Sequence, residues 1–260
     1  MIHVCDCGRD KPYVSAAEDI KHFWPAIQQW IGGQEVRIIR PDSIWTPSNL
    51  ALLYCSRHPK EAILRVFYPI SSASPKVTRG YGAPPGGTEF LVISGTRPHS
   101  GMSLSYQLRF SDNFDFCKGG KLPGLFGGRR WSGGNIPNGT DGFSTRYMWR
   151  TGGQGELYLY IPGLVDSGLS VSAPGWTFER GRWHTLEQRV DMNTPNLQDG
   201  RVRVWLDKKL LLERDDIRFR TTQHLGIEGI AFSTFFGGGD PSWASRVDAH
   251  IDFCQINISA

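Results

Sequence analysis

The chain has 260 residues, 39% of them apolar, with 31 glycines, 16 prolines and a net charge of +4. That is enough apolar content for one large core, and the glycine, proline and aromatic content favours short strands joined by tight turns over a helical bundle. No apolar run is long enough to span a bilayer, and the mild positive charge permits an anionic partner without requiring one.

The first ten residues lack the basic and apolar regions of a signal peptide, so a soluble protein is expected, with no membrane partner. Its compartment is left open, an extracellular one included. Cys5, Cys7, Cys55, Cys117 and Cys254 are odd in number and show no CxxC spacing. Buried thiols are therefore favoured over disulfides, and no metal and no cofactor is expected.

In chain order, Ser15 and Glu18 form a capping-box pair ahead of an apolar-periodic stretch that stops at Gly32 and Gly33, with Pro25 shortening or kinking the helix. Residues 1–34 are thus expected as a helix-containing extension packed on a single domain spanning 1–260. From Val36 onward, segments such as AILRVFY (62–68), EFLVIS (89–94) and MSLSYQLRF (102–110) have strand composition, and residues 71–87 are expected as a long loop. The segment KGGKLPGLFGGRRWSGG (118–134) carries four cations among seven glycines; it lacks the ending of a phosphate-binding loop and is expected as an open, glycine-rich loop. RWHTLEQRV and RVRVWLDKKLLL flank a turn-rich stretch and form a hairpin, and two apolar segments near the C-terminus close the sheets. The fold class is all-β: an antiparallel two-sheet β-jelly roll, a lectin-like sandwich, with a short N-terminal helical segment.

Side chains two apart on a strand share a face. Ser144, Arg146, Met148 and Arg150 therefore point one way, as do Glu156, Tyr158 and Tyr160 on the next strand, while Leu157, Leu159 and Ile161 point to the core. The same alternation groups Ser103, Ser105, Gln107 and Arg109. Taken alone, such polar alternation describes any wet sheet face. No histidine lies in a metal-binding spacing; His184 is expected to be structural, and His99 is a reserve candidate for a base.

The stretches SYQLRFSDNFDFCKGGKLPGLFGG (105–128), FSTRYMWR (143–150) and GELYLYIP (155–162) resemble the polysaccharide lyase family 14 domain, which includes alginate and glucuronan lyases. The resemblance is strong from about Phe90 to Pro162, fainter to the C-terminus and slight before residue 60. It implies a jelly roll with a cationic cleft that cleaves 1,4-linked uronic-acid polymers by β-elimination. Carried over, the functional residues are Lys121, Ser144, Arg146, Tyr158 and Tyr160, with Gln107, Arg109, Lys118 and Arg150 as substrate-binding candidates.

The chemistry asks for cations and donors at the substrate carboxylate, which suit Lys121, Arg146 and Ser144, and for a base and an acid, which suit the two tyrosines. The implied partner is an anionic polysaccharide, acted on by a monomer. A non-catalytic acidic-polysaccharide-binding module of the same fold is the alternative. A glycoside hydrolase would need two carboxylates at the cleft, where Glu156 is the obvious one. No nucleic-acid partner is expected, because the aromatics fall mostly on core faces.

Overall fold

The computed structural model describes residues 13–15, 20–31, 36–39, 47–55 and 58–260. Its elements run β1 (Tyr13–Ser15), α1 (Ile20–Ile31), β2 (Val36–Ile39), β3 (Leu50–Cys55), β4 (His58–Tyr68), α2 (Pro75–Tyr81), β5 (Thr88–Ser94) and β6 (Gly101–Phe110). Then come β7 (Gly119–Gly128), β8 (Gly142–Arg150), β9 (Gln154–Tyr160), β10 (Leu169–Thr177), β11 (Trp183–Asp191), β12 (Gly200–Leu206), β13 (Lys209–Ile217), β14 (Gly229–Phe236) and β15 (Ala249–Ser259). One sheet has eight strands in the order β1-β3-β4-β15-β6-β11-β12-β13, the other seven in the order β10-β9-β8-β7-β14-β5-β2. All their pairings are antiparallel, as expected for the jelly roll. Among the described residues no helix is long and apolar enough to cross a membrane.

The two inner faces supply the core. In β11 the residues His184, Leu186, Gln188 and Val190 are buried and alternate with more exposed neighbours. Tyr68, Phe110, Phe114, Trp149 and Phe236 meet edge to face between the sheets, the arrangement that aromatic quadrupoles favour. One polar pair crosses this core: Thr145 Oγ1 donates to Gln188 Oε1 at 2.6 Å, and Gln188 Nε2 donates to the Thr145 carbonyl. Satisfied in this way, the buried amide fixes the register of β8 over β11 at little cost.

Several local expectations change. Ser15 is the last residue of β1 and pairs with Ala51, while its capping partner Glu18 and the stops Gly32 and Gly33 lie outside the described residues. Helix α1 runs through Pro25 and buries Phe23, Trp24, Ile27 and Ile31. Residues 71–87 include a helix, α2, where a loop was expected. Ser74 caps it by accepting the Val77 N–H, Pro75 opens it, and Gly82 ends it in the left-handed region, so both stop signals were printed in the sequence. Cys5 and Cys7 lie outside the described residues, and Cys117 is a buried thiol that donates to the Ala244 carbonyl.

The glycine-rich segment is a strand rather than a loop: β7 lies between β8 and β14 inside the seven-stranded sheet. A Cβ on Gly120 would sit 2.1 Å from the Trp149 ring, and one on Gly124 would sit 2.4 Å from the Thr145 carbonyl oxygen. These glycines admit close neighbours rather than mobility. Pro123, which has no N–H to give a ladder, sits where the β7–β8 register shifts between Leu122 and Leu125, and its carbonyl accepts the Tyr106 hydroxyl.

A further correction concerns β6. It belongs to the eight-stranded sheet, and because Leu104, Tyr106, Leu108 and Phe110 fill the core, Gln107 and Arg109 face the opposite side of the sandwich from β8 and β9. Alternation fixes which residues share a strand face, but not which sheet the strand joins. Arg109 instead binds Asp252 at 2.9 Å, lies over the Trp183 ring, and shares that carboxylate with Arg65 at 2.7 Å. Asp252 is fully buried; burial alone would push its carboxyl up, but hydrogen bonds and charge from Arg65, with help from His250 and Arg109, hold it low.

Asp252→Ala is therefore expected to destabilise the fold by about 3 kcal/mol in urea titration. The wild-type advantage should be complete above about pH 4 and fade as the pH falls through the depressed folded pKa.

Candidate active site

Strands β7, β8 and β9 are neighbours, so their outer faces join. Ser144 lies opposite Tyr160, Arg146 opposite Tyr158, and Met148 opposite both Glu156 and Lys121. All five residues carried over from the family pattern therefore meet on one face of the seven-stranded sheet. Lys121 Nζ sits 3.3 Å from the centre of the Tyr158 ring and 3.2 Å from Met148 Sδ. The Arg146 guanidinium is 5.6 Å from the Tyr160 ring, and the two phenol rings meet edge to face at 5.6 Å. Tyr158 Oη accepts the Gly168 N–H at 3.0 Å, which fixes its orientation.

The segment joining β7 to β8 covers this face. The Trp131 ring lies 5.2 Å from the Arg146 guanidinium and 5.7 Å from the Phe126 ring, and Ser144 Oγ donates to the Trp131 carbonyl at 2.7 Å. Under this cover Arg146 is 0% exposed. One of its nitrogens, Nη1, donates to Ser233 Oγ at 3.1 Å, while Nε and Nη2 have no hydrogen-bond partner. Two charged donors buried without acceptors cost free energy unless a ligand satisfies them.

Burial acts on every ionisable group here. It lowers the Lys121 amine well below the ordinary lysine range, helped by the charges of Arg146 and Arg150 and opposed by Glu156. It also lowers Arg146, against Glu89 and the two phenols. It raises the Tyr160 hydroxyl, reinforced by Tyr158 and opposed by Arg146 and the Gly134 N–H. Burial thus disfavours the charged form of all three groups, weakening the Lys121 and Arg146 cations and opposing ionisation of the Tyr160 phenol.

The remaining candidates flank this cluster. Arg150 donates to Glu156 at 2.6 Å, and Ser170 donates to the same oxygen at 3.0 Å, so the Glu156 carboxylate is neutralised in place. Lys118 is exposed, donates to Ser242, and lies 5.9 Å from the Trp243 ring; Arg150 approaches the same ring at 5.8 Å. His99 stands apart, bridged to Ile227 and lining a cavity toward the far edge of the sheet. Among the described residues no group of three or more His, Cys, Asp or Glu side chains could hold a metal ion.

Three neighbours escaped sequence reasoning: Trp131, Ser233 and Glu89. Ser233 pairs with Glu89 across β14 and β5 and receives the Arg146 bond. Burial raises the Glu89 carboxyl, opposed by the charge of Arg146 and a bond to Ser233. Glu89 alternates with core residues Phe90 and Val92, which marks it as outward-facing, but its nearness to Arg146 comes from strand order.

Two packed antiparallel sheets, with a buried cationic cluster and paired phenols on one outer face, define a jelly-roll polysaccharide lyase. The chain belongs to the Polysaccharide lyase 14 family, whose sequence profile matches residues 56–256. It is similar to the crystal structure of the marine PL-14 alginate lyase from Aplysia kurodai, at 28% identity and a TM-score of 0.72, over 87% of this chain and 91% of that one. An alginate lyase from Chlorella virus shares the fold at 20% identity and a TM-score of 0.72, covering 90% and 96% of the two chains. The endo-β-1,4-glucuronan lyase from the fungus Trichoderma reesei shares it at 12% identity and a TM-score of 0.56, over 86% and 90%. Among curated proteins no match was found.

Because Lys121 is held where its charged form is disfavoured, Lys121→Met is expected to abolish turnover yet raise the melting temperature. Each 1 kcal/mol recovered corresponds to roughly 2–4 °C in a chain of this size. The folded pKa lies below the unfolded one, so wild-type stability rises with pH through that window; the gain from Met should be larger at neutral pH than at pH 10. Calorimetry at two pH values checks both parts.

Proposed function

We propose that the chain depolymerises 1,4-linked uronic-acid polymers by β-elimination, with alginate as its preferred substrate. The observation that carries this reading is the Arg146 guanidinium, fully buried with Nε and Nη2 unpartnered, beside a Lys121 amine of depressed basicity and two phenols. The C5 proton of a uronate is a poor acid while the adjacent carboxylate keeps its charge. A guanidinium with two free donors pairs that carboxylate bidentately and stabilises the enolate-like transition state.

The proton path follows from the pKa directions. Neutral Lys121 Nζ takes the proton from C5, the electron pair moves to form the C4–C5 double bond, and the C4–O4 bond breaks. Tyr160 Oη, whose proton burial retains, delivers it to the departing O4. The ammonium and the phenolate then exchange a proton, through water, to restore the resting state. Tyr158 orients the amine through an N–H contact on its ring face. In this division of labour Arg146 alone neutralises the carboxylate, whereas sequence reasoning grouped Lys121 with it and sought both proton carriers among the tyrosines.

Preference for alginate rests on the 28% identical neighbour from Aplysia kurodai, which is an alginate lyase. The cluster is complete within one chain, which supports action as a monomer. A binding module of the same fold has no use for a buried amine of depressed basicity.

Purified protein offered polymannuronate, polyguluronate and glucuronan is expected to release products with the ultraviolet absorbance of an unsaturated uronate, fastest from one of the two alginate polymers. Absorbance appearing on glucuronan alone overturns the preference, and its absence from all three overturns the activity. kcat/KM should rise with pH through an apparent pKa below the ordinary lysine value of about 10.4. Tyr160→Phe should lower kcat by at least about a hundredfold while oligosaccharide binding persists. A Tyr160→Phe enzyme with near-normal kcat would rule out that phenol as the acid.

A further inference from the structure

The outer face of the seven-stranded sheet continues well past the reacting cluster. A single row of directly opposed residues crosses it from Tyr160 to Ser144, Phe126, Gly229, Ile93 and Arg37. Ser144 and Arg37 are four strands apart on this row, about 19 Å at about 4.8 Å per strand. Phe90 and Val92 point into the core, so Ile93 and, opposite it, Arg37 face the same side as Ser144 and Tyr160. Gly229 puts no side chain in the path, and the Phe126 ring is covered by Trp131. Any shift of the Trp131 segment that opens Arg146 therefore uncovers Phe126 as well.

At the end of the row lies a cavity of about 1020 Å³, lined by Val36, Arg37, Ile93, Glu228 and residues 94–99. Arg37 and Arg97 are both exposed in its wall. Neither takes part in an ion pair or hydrogen bond among the described residues, in a molecule where most other arginines do. Among the described residues the one carboxylate in the wall, Glu228, accepts the Gly128 N–H at 3.1 Å, which ties it to the end of β7. His99 Nε2 lies 3.3 Å from the Ser94 carbonyl, and Ser94 and Thr96 add hydroxyls. Two free guanidinia with neighbouring hydroxyls match the carboxylate and hydroxyls of a uronate residue.

We propose that this cavity is a remote subsite for the polymer. Arg37 and Arg97 would hold the carboxylate of a uronate residue several units along the same chain from the one undergoing elimination at Lys121 and Arg146. This rests on the uronate-lyase reading above. The site gives longer substrates an advantage that short ones lack, because only a chain spanning the row engages both ends.

The test uses a series of size-defined oligomannuronates and oligoguluronates with wild type, Arg37→Gln, Arg97→Gln and the double variant. Wild type should show a step down in KM once the oligomer is long enough to span the row. The double variant should lose that step, with KM for long oligomers rising about tenfold and kcat unchanged, while cleavage of the shortest substrates stays as in wild type. Binding of the same series to Tyr160→Phe protein, with and without the two arginine changes, reports the subsite even if no turnover occurs. An affinity step that survives in the double variant overturns the proposal, as does an equal loss for short and long oligomers. Absence of unsaturated product at every length overturns the lyase reading instead, and leaves the binding comparison to decide on the subsite.

Discussion

Arg146 and Lys121 are held under aromatic cover on the face of a β-sheet, away from bulk water, and the rest of the structure is arranged around that constraint. Burying an ion costs several kcal/mol even after relaxation. Arg146 recovers part of this from Ser233 and the nearby Glu89 carboxyl, whereas burial lowers the basicity of Lys121 beside the Tyr158 ring and Met148 Sδ, so that its amine gives up charge rather than carry it. What remains unrecovered is what a substrate carboxylate can supply. Such donors act on a transition state without reorganising only if the backbone carrying them does not yield. That explains why they project from β7 and β8, inside the sheet, rather than from loops.

The rigidity has an identifiable source beneath the site. Arg146 alternates with Thr145 and Tyr147, and Thr145 is tied through Gln188 to the opposing sheet. Lys121 follows Gly120, over which the Trp149 ring lies, and precedes Leu122, where the register of β7 shifts. The Tyr106 hydroxyl reaches across to the Pro123 carbonyl at that shift. Arg146 is thus one residue, and Lys121 two residues, away from an inter-sheet contact. The eight-stranded sheet contributes no reactive group; it acts as the anvil on which the other sheet is held.

Much of this was legible in the sequence because it rests on local periodicity. The Ser144 and Arg146 alternation and the Tyr158 and Tyr160 alternation lie on strands joined by a short turn, so their common face follows from spacing two and a hairpin. Arg109 and Gln107 obey the same spacing and face the wrong way, because sheet membership is set by long-range order: β6 pairs with β11 and β15. The glycine-rich stretch misled for a related reason. Glycine signals a loop when nothing presses on it, and here Trp149 and Thr145 press on it. Glu89 and Ser233 reach Arg146 only because β14 and β5 continue the sheet beyond β7, an order that no local pattern encodes.

The Trp131 segment makes burial and access compatible. A cleft that left Arg146 open to water would hydrate the guanidinium, lose its low-dielectric environment and weaken its hold on a carboxylate. With the Trp131 ring over the guanidinium and Ser144 holding the Trp131 carbonyl in place, Arg146 instead lies under a π-face. That contact does not match a bidentate carboxylate in strength, since the Trp131 ring offers only its quadrupole and leaves Nε and Nη2 unsatisfied. A uronate can therefore displace this cover at a net gain, whereas a neutral sugar, having no charge to pair with Arg146, cannot. Selection for charged polymers follows from how poorly the resting cover satisfies the arginine, as well as from how well the substrate does.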